Sequence, residues 1–257
     1  MDVIGYSRSF WAALFTFRGQ GSVVFSLGRW EVNTVGRSTI IDVGDVTAVQ
    51  VRQGFCWSTL RLLSASGRTE FPGLAHTAAA HLHGLFKVSG IVPGVVAATV
   101  SWDAIKSRRR YINNYAQSAW MAQHQETRVL LRAVKLEWFL PANRAQATTF
   151  IAVFDNLEGT VSRLNQEHIE RELQECKFLL DDDGSEILTK MQRTAIITDQ
   201  DNTLVIAGAG SGKTSVVVGK VAYLLKRLQI MPADLLLIAY NNGAASEMRE
   251  RVSQQVG

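Results

Sequence analysis

Cysteine is nearly absent: Cys56 and Cys176 are the only two in 257 residues, far apart, with no CxxC pair and no Cys/His cluster beside them. That excludes a disulfide-stapled secreted scaffold and a Cys-ligated structural zinc site, and makes cytoplasmic residence the expectation. Proline is scarce, at four residues, and charged residues are 19% against 47% hydrophobic, which excludes disordered, collagen-like and low-complexity classes. Neither sign of charge dominates. The balance of 27 Lys+Arg to 23 Asp+Glu gives a formal +4, which permits an anionic partner without arguing for one. Long apolar runs are missing as well. Phe10–Phe17 is short and leads into strand-like sequence instead of a cleavage site, and Ile91–Val100 carries Pro93 and Gly94, so no membrane role is expected. What remains is a chain long enough to bury a core unaided, as one large domain or two modest ones.

The pattern divides the chain in three. Residues 20–75 read as β-structure: Val23–Leu27, Trp30–Val32, Thr39–Val43, Val46–Val51, Ser58–Ser64 and Thr69–Phe71 are short β-branched runs between Gly or Asp turns, with Ala65–Arg68 as a hairpin turn. An Ala-rich helix over His76–Val88 closes this small α+β domain, spanning 1–90. Residues 91–185 form a helical linker region, with one helix stopping before Pro141 and an amphipathic stripe of Ile169, Leu173, Cys176 and Leu180. Asp181–Ser185 breaks that stripe and marks a boundary. From 186 to 257 the order is β-α-β-α, the opening of an α/β domain: strands at Thr203–Ala207 and Asp234–Ala239, helices at Thr214–Leu225 and Ala244–Val252.

The chemistry concentrates in Ala207-Gly208-Ala209-Gly210-Ser211-Gly212-Lys213-Thr214, a phosphate-binding loop with Ala207 where the strict pattern has Gly. Glycines let the backbone curl so that successive N–H groups point at a β-phosphate, and the following helix adds its positive N-terminus. Lys213 would reach the β- and γ-phosphates of ATP, and the Thr214 hydroxyl would ligate Mg²⁺. Other clusters read more plainly. Lys106-Ser-Arg-Arg-Arg110 is a solvated helical face sooner than a backbone-phosphate patch; His76, His81 and His83 spread around a helix instead of sharing a metal; the tryptophans fill cores or an interdomain surface.

Leu188–Arg193, Leu204–Thr214 and Leu236–Arg251 together resemble the first three motifs of the superfamily 1 UvrD/Rep-type DNA helicases. Gly54–Trp57, Leu60–Leu62, Phe71–Leu74 and 165–180 are similar to the N-terminal domain and linker of the helicase IV branch of that family. The resemblance implies a RecA-like motor start at 186–257, Gln192 reading the adenine edge, and Lys213 and Thr214 keeping their phosphate and Mg²⁺ roles. It also implies Tyr240 and Asn242 beside single-stranded DNA, with Ala244, Ala245 and Met248 as helix packing. Gly243 departs from the family's usual Lys, and Ser215 stands where many relatives have Arg. No Asp-Glu pair on a further strand, arginine finger or second motor domain follows. The expectation is therefore the N-terminal part of a 3′-to-5′ DNA helicase acting at duplex junctions, binding ATP weakly by itself and turning over hardly any. An incomplete sheet with an uncovered apolar face is expected with it. The rival expectation is a short stand-alone module binding nucleotide or, through residues 1–90, a protein partner, without hydrolysis. A small P-loop kinase fits poorly, since no acceptor or lid region follows the loop.

Overall fold

The computed structural model describes residues 3–7, 21–26, 29–34, 37–177, 188–208 and 210–256. Phe10–Phe17, Leu180, the Asp181–Ser185 boundary and Ala209 lie outside them. The fold is mixed α/β, with two small antiparallel sheets and several helices. It comprises two compact units, each discontinuous in sequence: residues 1–103 with 121–155, and residues 104–120 with 156–257.

In the first unit, β1 (Val3–Ser7), β2 (Ser22–Ser26), β3 (Arg29–Thr34) and β4 (Arg37–Asp42) form a meander, and β5 (Val46–Gln53), β6 (Ser58–Ser64) and β7 (Gly67–Leu74) a second sheet. Alternation along each strand sends one face inward: Val23 and Phe25, Trp30 and Val32, Leu60 and Leu62, Phe71 and Leu74 are all buried. The hairpin between β6 and β7 turns on Ala65-Ser66, with Ser64 paired to Gly67. Near the other end of this pair the register shifts between Ser58 and Thr59, where Gly73 is the extra residue at φ +89°, a backbone conformation suited to glycine. Helix α1 (His76–Ser89) covers the sheets with Ala79, Leu82 and Leu85.

The remaining helices are α2 (Val92–Ser107), α3 (Asn114–Arg132), α4 (Pro141–Asp155) and α5 (Leu157–Glu175). Pro141 opens α4, a first-turn position where its missing N–H costs nothing. Buried His124 meets Ser101 Oγ at 2.9 Å and the edge of Phe150, and Arg128 grips Asp155 with two hydrogen bonds of 2.8 and 2.7 Å. No single helix among the described residues is long and apolar enough to cross a membrane. Trp30, Trp102 and Trp120 are buried as expected, while Trp57 and Trp138 are half-buried. Gly84 shows why α1 needs a residue without a side chain at that point: a Cβ there would lie 2.4 Å from Trp138 Cγ. Gly84→Ala is expected to destabilise this unit by about 1–3 kcal/mol, as overpacking of a core does, read as a lowered midpoint in thermal denaturation.

In the second unit, α5, α6 (Lys190–Ile197) and α7 (Lys213–Ala222) pack around Cys176, Ile196, Ile197, Val216 and Ala222, with Ile169 and Leu173 of the expected stripe against them. A π-helical turn, Tyr223–Arg227, prolongs α7, and α8 (Asn242–Val256) ends the described chain.

Two expectations fail here. Thr203–Ala207 and Asp234–Ala239 form no strand; Asp234 closes a single 3-10 turn, Pro232–Asp234. Strands of a parallel sheet hold only with ladder partners beside them and helices on both faces. Neither segment finds a ladder among the described residues, and Leu204, Ile206, Leu236 and Ile238 stand more than 80% exposed. The uncovered apolar surface is present, but the sheet is not. Ala244 is exposed and Ala245 and Met248 are half-buried; no residue of α8 is fully buried, and Val256 packs against the core of this unit.

Candidate functional site

The turn into α7 takes its shape from its glycines. Gly210 (φ +75°) and Gly212 (φ +79°) lie in the left-handed region, and Gly212 is the residue immediately before the helix. Between them Ser211 folds back on Gly208, its hydroxyl donating to Gly208 O at 2.7 Å and its N–H at 3.4 Å. A Cβ on Gly208 would meet nothing within 4 Å, whereas one on Gly212 would lie 2.7 Å from Gln192 Nε2. The first leaves space beside the loop, and the second makes room for Gln192. The first N–H groups of α7 have no partner within the helix, and its macrodipole favours an anion at that end.

Lys213 begins α7 and curls over the loop, its Nζ donating to Ala207 O at 2.8 Å and Gly208 O at 2.6 Å. Thr214 follows on the first turn, half-buried. Gln192 reaches the loop from α6. Its amide donates to Ser211 O at 3.0 Å and accepts from Thr189 N at 2.7 Å, while Thr189 Oγ1 accepts from Gln192 N. This reciprocal Thr189–Gln192 box caps α6. One amide hydrogen and one carbonyl lone pair of Gln192 are left for another partner.

The loop thus gathers Gln192, Gly208, Gly210, Ser211, Gly212, Lys213 and Thr214, with Ala207 at its entrance. Tyr240 and Asn242 belong to the stretch opening α8, where the Tyr240 ring is fully exposed. Sequence reasoning passed over three positioning residues. Thr189 was legible as a Thr-x-x-Gln capping signature, and Asn241, whose Oδ1 accepts from Ala244 N at 2.8 Å, as an N-cap. Lys220, which fastens α7 to Thr198 O (2.9 Å) and Asp199 (3.2 Å), left no local signal. Among the described residues no group of three or more His, Cys, Asp or Glu is placed to share a metal ion. His76 instead bonds Ser58, and His81 bonds Tyr6.

At its far end α7 is held by a buried charge. Glu172 of α5 accepts two hydrogen bonds from Arg227 (2.9 and 2.8 Å), one from the Tyr223 hydroxyl (3.0 Å) and a longer one from Cys176 Sγ (3.4 Å). Burial would push the Glu172 carboxyl up, but the hydrogen bonds from Arg227, Cys176 and Tyr223, with the Arg227 charge, outweigh it and hold the group at about 2. Burial and the neighbouring carboxylate push the Cys176 thiol up to about 11, so it stays protonated.

Residues 188–257 match the family model of the UvrD/REP helicase N-terminal domain. The chain is 43% identical over 70 residues to ATP-dependent DNA helicase UvrD1 of Mycobacterium leprae, covering 27% of this chain and 9% of that protein. It is 36% identical over 101 residues to DNA helicase IV of Escherichia coli, covering 39% and 15%. It is 46% identical over 66 residues to ATP-dependent DNA helicase PcrA of Staphylococcus aureus, covering 26% and 9%. The matched segments therefore span at most about a seventh of these relatives. The matches support the UvrD-type superfamily 1 helicases as the family of this segment.

Proposed function

We propose that this chain is the N-terminal portion of an ATP-dependent DNA helicase of the UvrD type, resident in the cytoplasm. Residues 186–257 open its motor domain, and residues 1–90, which belong to the first compact unit with 91–103 and 121–155, offer a surface to a protein partner. The observation that carries this reading is a coincidence of place: the segment matched by the helicase family model contains the glycine-shaped turn with its lysine at a helix N-terminus. The match to helicase IV runs over 101 residues, more than the 70 of the family-model segment, which supports that branch.

The cradle fits a phosphate chain. Gly210 and Gly212 let the loop curl before α7, and Lys213 exchanges its two carbonyl contacts for the β- and γ-phosphate oxygens. Thr214 offers its hydroxyl to Mg²⁺, and Gln192 offers the remaining donor and acceptor of its amide to the adenine edge. Tyr240 presents a ring on which a base of single-stranded DNA can stack, next to Asn242. When bound, ATP supplies the free energy that the intact enzyme couples to 3′-to-5′ movement along single-stranded DNA at duplex junctions. Because the cradle is built around the β-phosphate, ATP and ADP are expected to bind the full chain with Mg²⁺ in calorimetric titration, and AMP is not. AMP binding as tightly as ATP, or no heat with ATP, would refute this reading.

A further inference from the structure

The three consecutive arginines that sequence analysis placed on a solvated helical face are not helical. Arg108, Arg109 and Arg110 occupy the connection between α2 and α3, which the structure pins from behind. Buried Asn165 of α5 clasps Ile112 from both sides, donating to its carbonyl (2.9 Å) and accepting from its N–H (2.8 Å). Three positions before Ile112, Arg109 stands at φ +52°, strained for a side-chain-bearing residue, and its carbonyl is held by Arg171 Nη2 at 2.9 Å. Nδ1 of buried His168 lies 3.0 Å from that same Arg109 carbonyl and 2.9 Å from the Arg171 nitrogen. Burial lowers the His168 pKa, against the pull of Glu172.

Asn165, His168 and Arg171 of α5 thus hold the loop backbone, and the three arginines it carries are exposed. Arg108, Arg109 and Arg110 make no ion pair among the described residues. With Arg171 and Arg227 they line an open cleft of about 230 Å³. Its only acidic members, Glu172 and Glu175, are both engaged by Arg227. Five arginines against two already paired carboxylates select an anion, and guanidinium forks select phosphate oxygens.

We propose that this cleft binds the phosphodiester backbone of a nucleic-acid strand, at a site separate from the phosphate loop. The lining decides for backbone over base or nucleotide. Leu228 is its only apolar member, and the neighbouring Tyr111 is half-buried, its ring edge-on to His168 and its hydroxyl accepting from Gln200, so no aromatic face is offered for stacking. Charges spread along an open loop track successive phosphates and read no sequence.

The test is binding of a fluorescein-labelled oligo-dT to the full chain across a salt series. Arg108→Gln/Arg110→Gln removes two exposed guanidiniums and leaves Arg109, with its strained backbone, in place. This variant should lose roughly 10- to 30-fold in affinity near 0.1 M salt and lower the log–log salt slope by about 1.4, from about 0.7 per phosphate contact on a single strand. Arg108→Lys/Arg110→Lys should recover most of both. Lys213→Ala should bind oligo-dT as the unaltered chain does, which separates this cleft from nucleotide binding. An unchanged salt slope in the glutamine variant would overturn the proposal. So would displacement of the oligonucleotide by millimolar inorganic phosphate with no dependence on strand length, which would assign the cleft to a small phosphate anion.

Discussion

Lys213→Ala is expected to weaken binding of Mg·ATP to this chain by roughly 30-fold or more, since charge-assisted hydrogen bonds contribute about 1.5–3 kcal/mol each and about 1.4 kcal/mol is a factor of ten. Among the described residues the ammonium is the only cationic group hydrogen-bonded to the loop, and it is exposed and attached there through two backbone carbonyls. Removing it frees two oxygens that water can satisfy, so the thermal midpoint should hardly move. That separation of affinity from stability makes the variant informative. A structural role for the lysine would lower the melting temperature together with affinity, whereas a phosphate role lowers affinity alone. Titration of a fluorescent ATP analogue, with a thermal melt of the same preparations, reads both. Affinity equal to that of the unaltered chain would remove Lys213 from the site.

The local features of the fold were legible because local chemistry determines them. The Gly67 turn, the short β-branched runs of β2 to β7 and the Ala-rich α1 each follow from side chains within a few residues of one another. The glycine turn before α7 was legible for the same reason, since its positive-φ positions coincide with Gly210 and Gly212. Two kinds of feature were not. Continuous apolar runs at Thr203–Ala207 and Leu235–Ala239 report a preference for burial, and a strand also requires partners that sequence pattern does not supply. Arg108–Arg110 read as helix because arginine is a good helix former. The interactions that stop the helix come from Asn165 and Arg171, more than fifty residues away, and nothing local announces them. The same distance hid the Glu172–Arg227 pair, which joins residues 55 apart in sequence.

That pair gives the largest expected effect on stability. Glu172 is nearly inaccessible, and its carboxylate takes hydrogen bonds from a guanidinium, a phenol and a thiol. Its folded pKa of about 2 lies below the ordinary 4.5, so the folded state prefers the ionised form. The stabilisation this confers is complete above about pH 4.5 and is lost as pH falls toward 2, and a shift of this size corresponds to about 3 kcal/mol. Glu172→Gln keeps the shape and removes the charge, imitating the protonated state at every pH. At pH 7 the variant should therefore be less stable by about 3 kcal/mol in denaturant unfolding. The deficit should shrink as the comparison is repeated from pH 5 down toward pH 2. Because Tyr223 and Arg227 extend the helix that starts at Lys213, loosening them loosens the far support of the phosphate cradle. Nucleotide affinity in the variant should consequently fall at pH 7, with no change at any atom of the loop. A deficit that stayed constant with pH would mean that packing, and not the charge on Glu172, anchors α7.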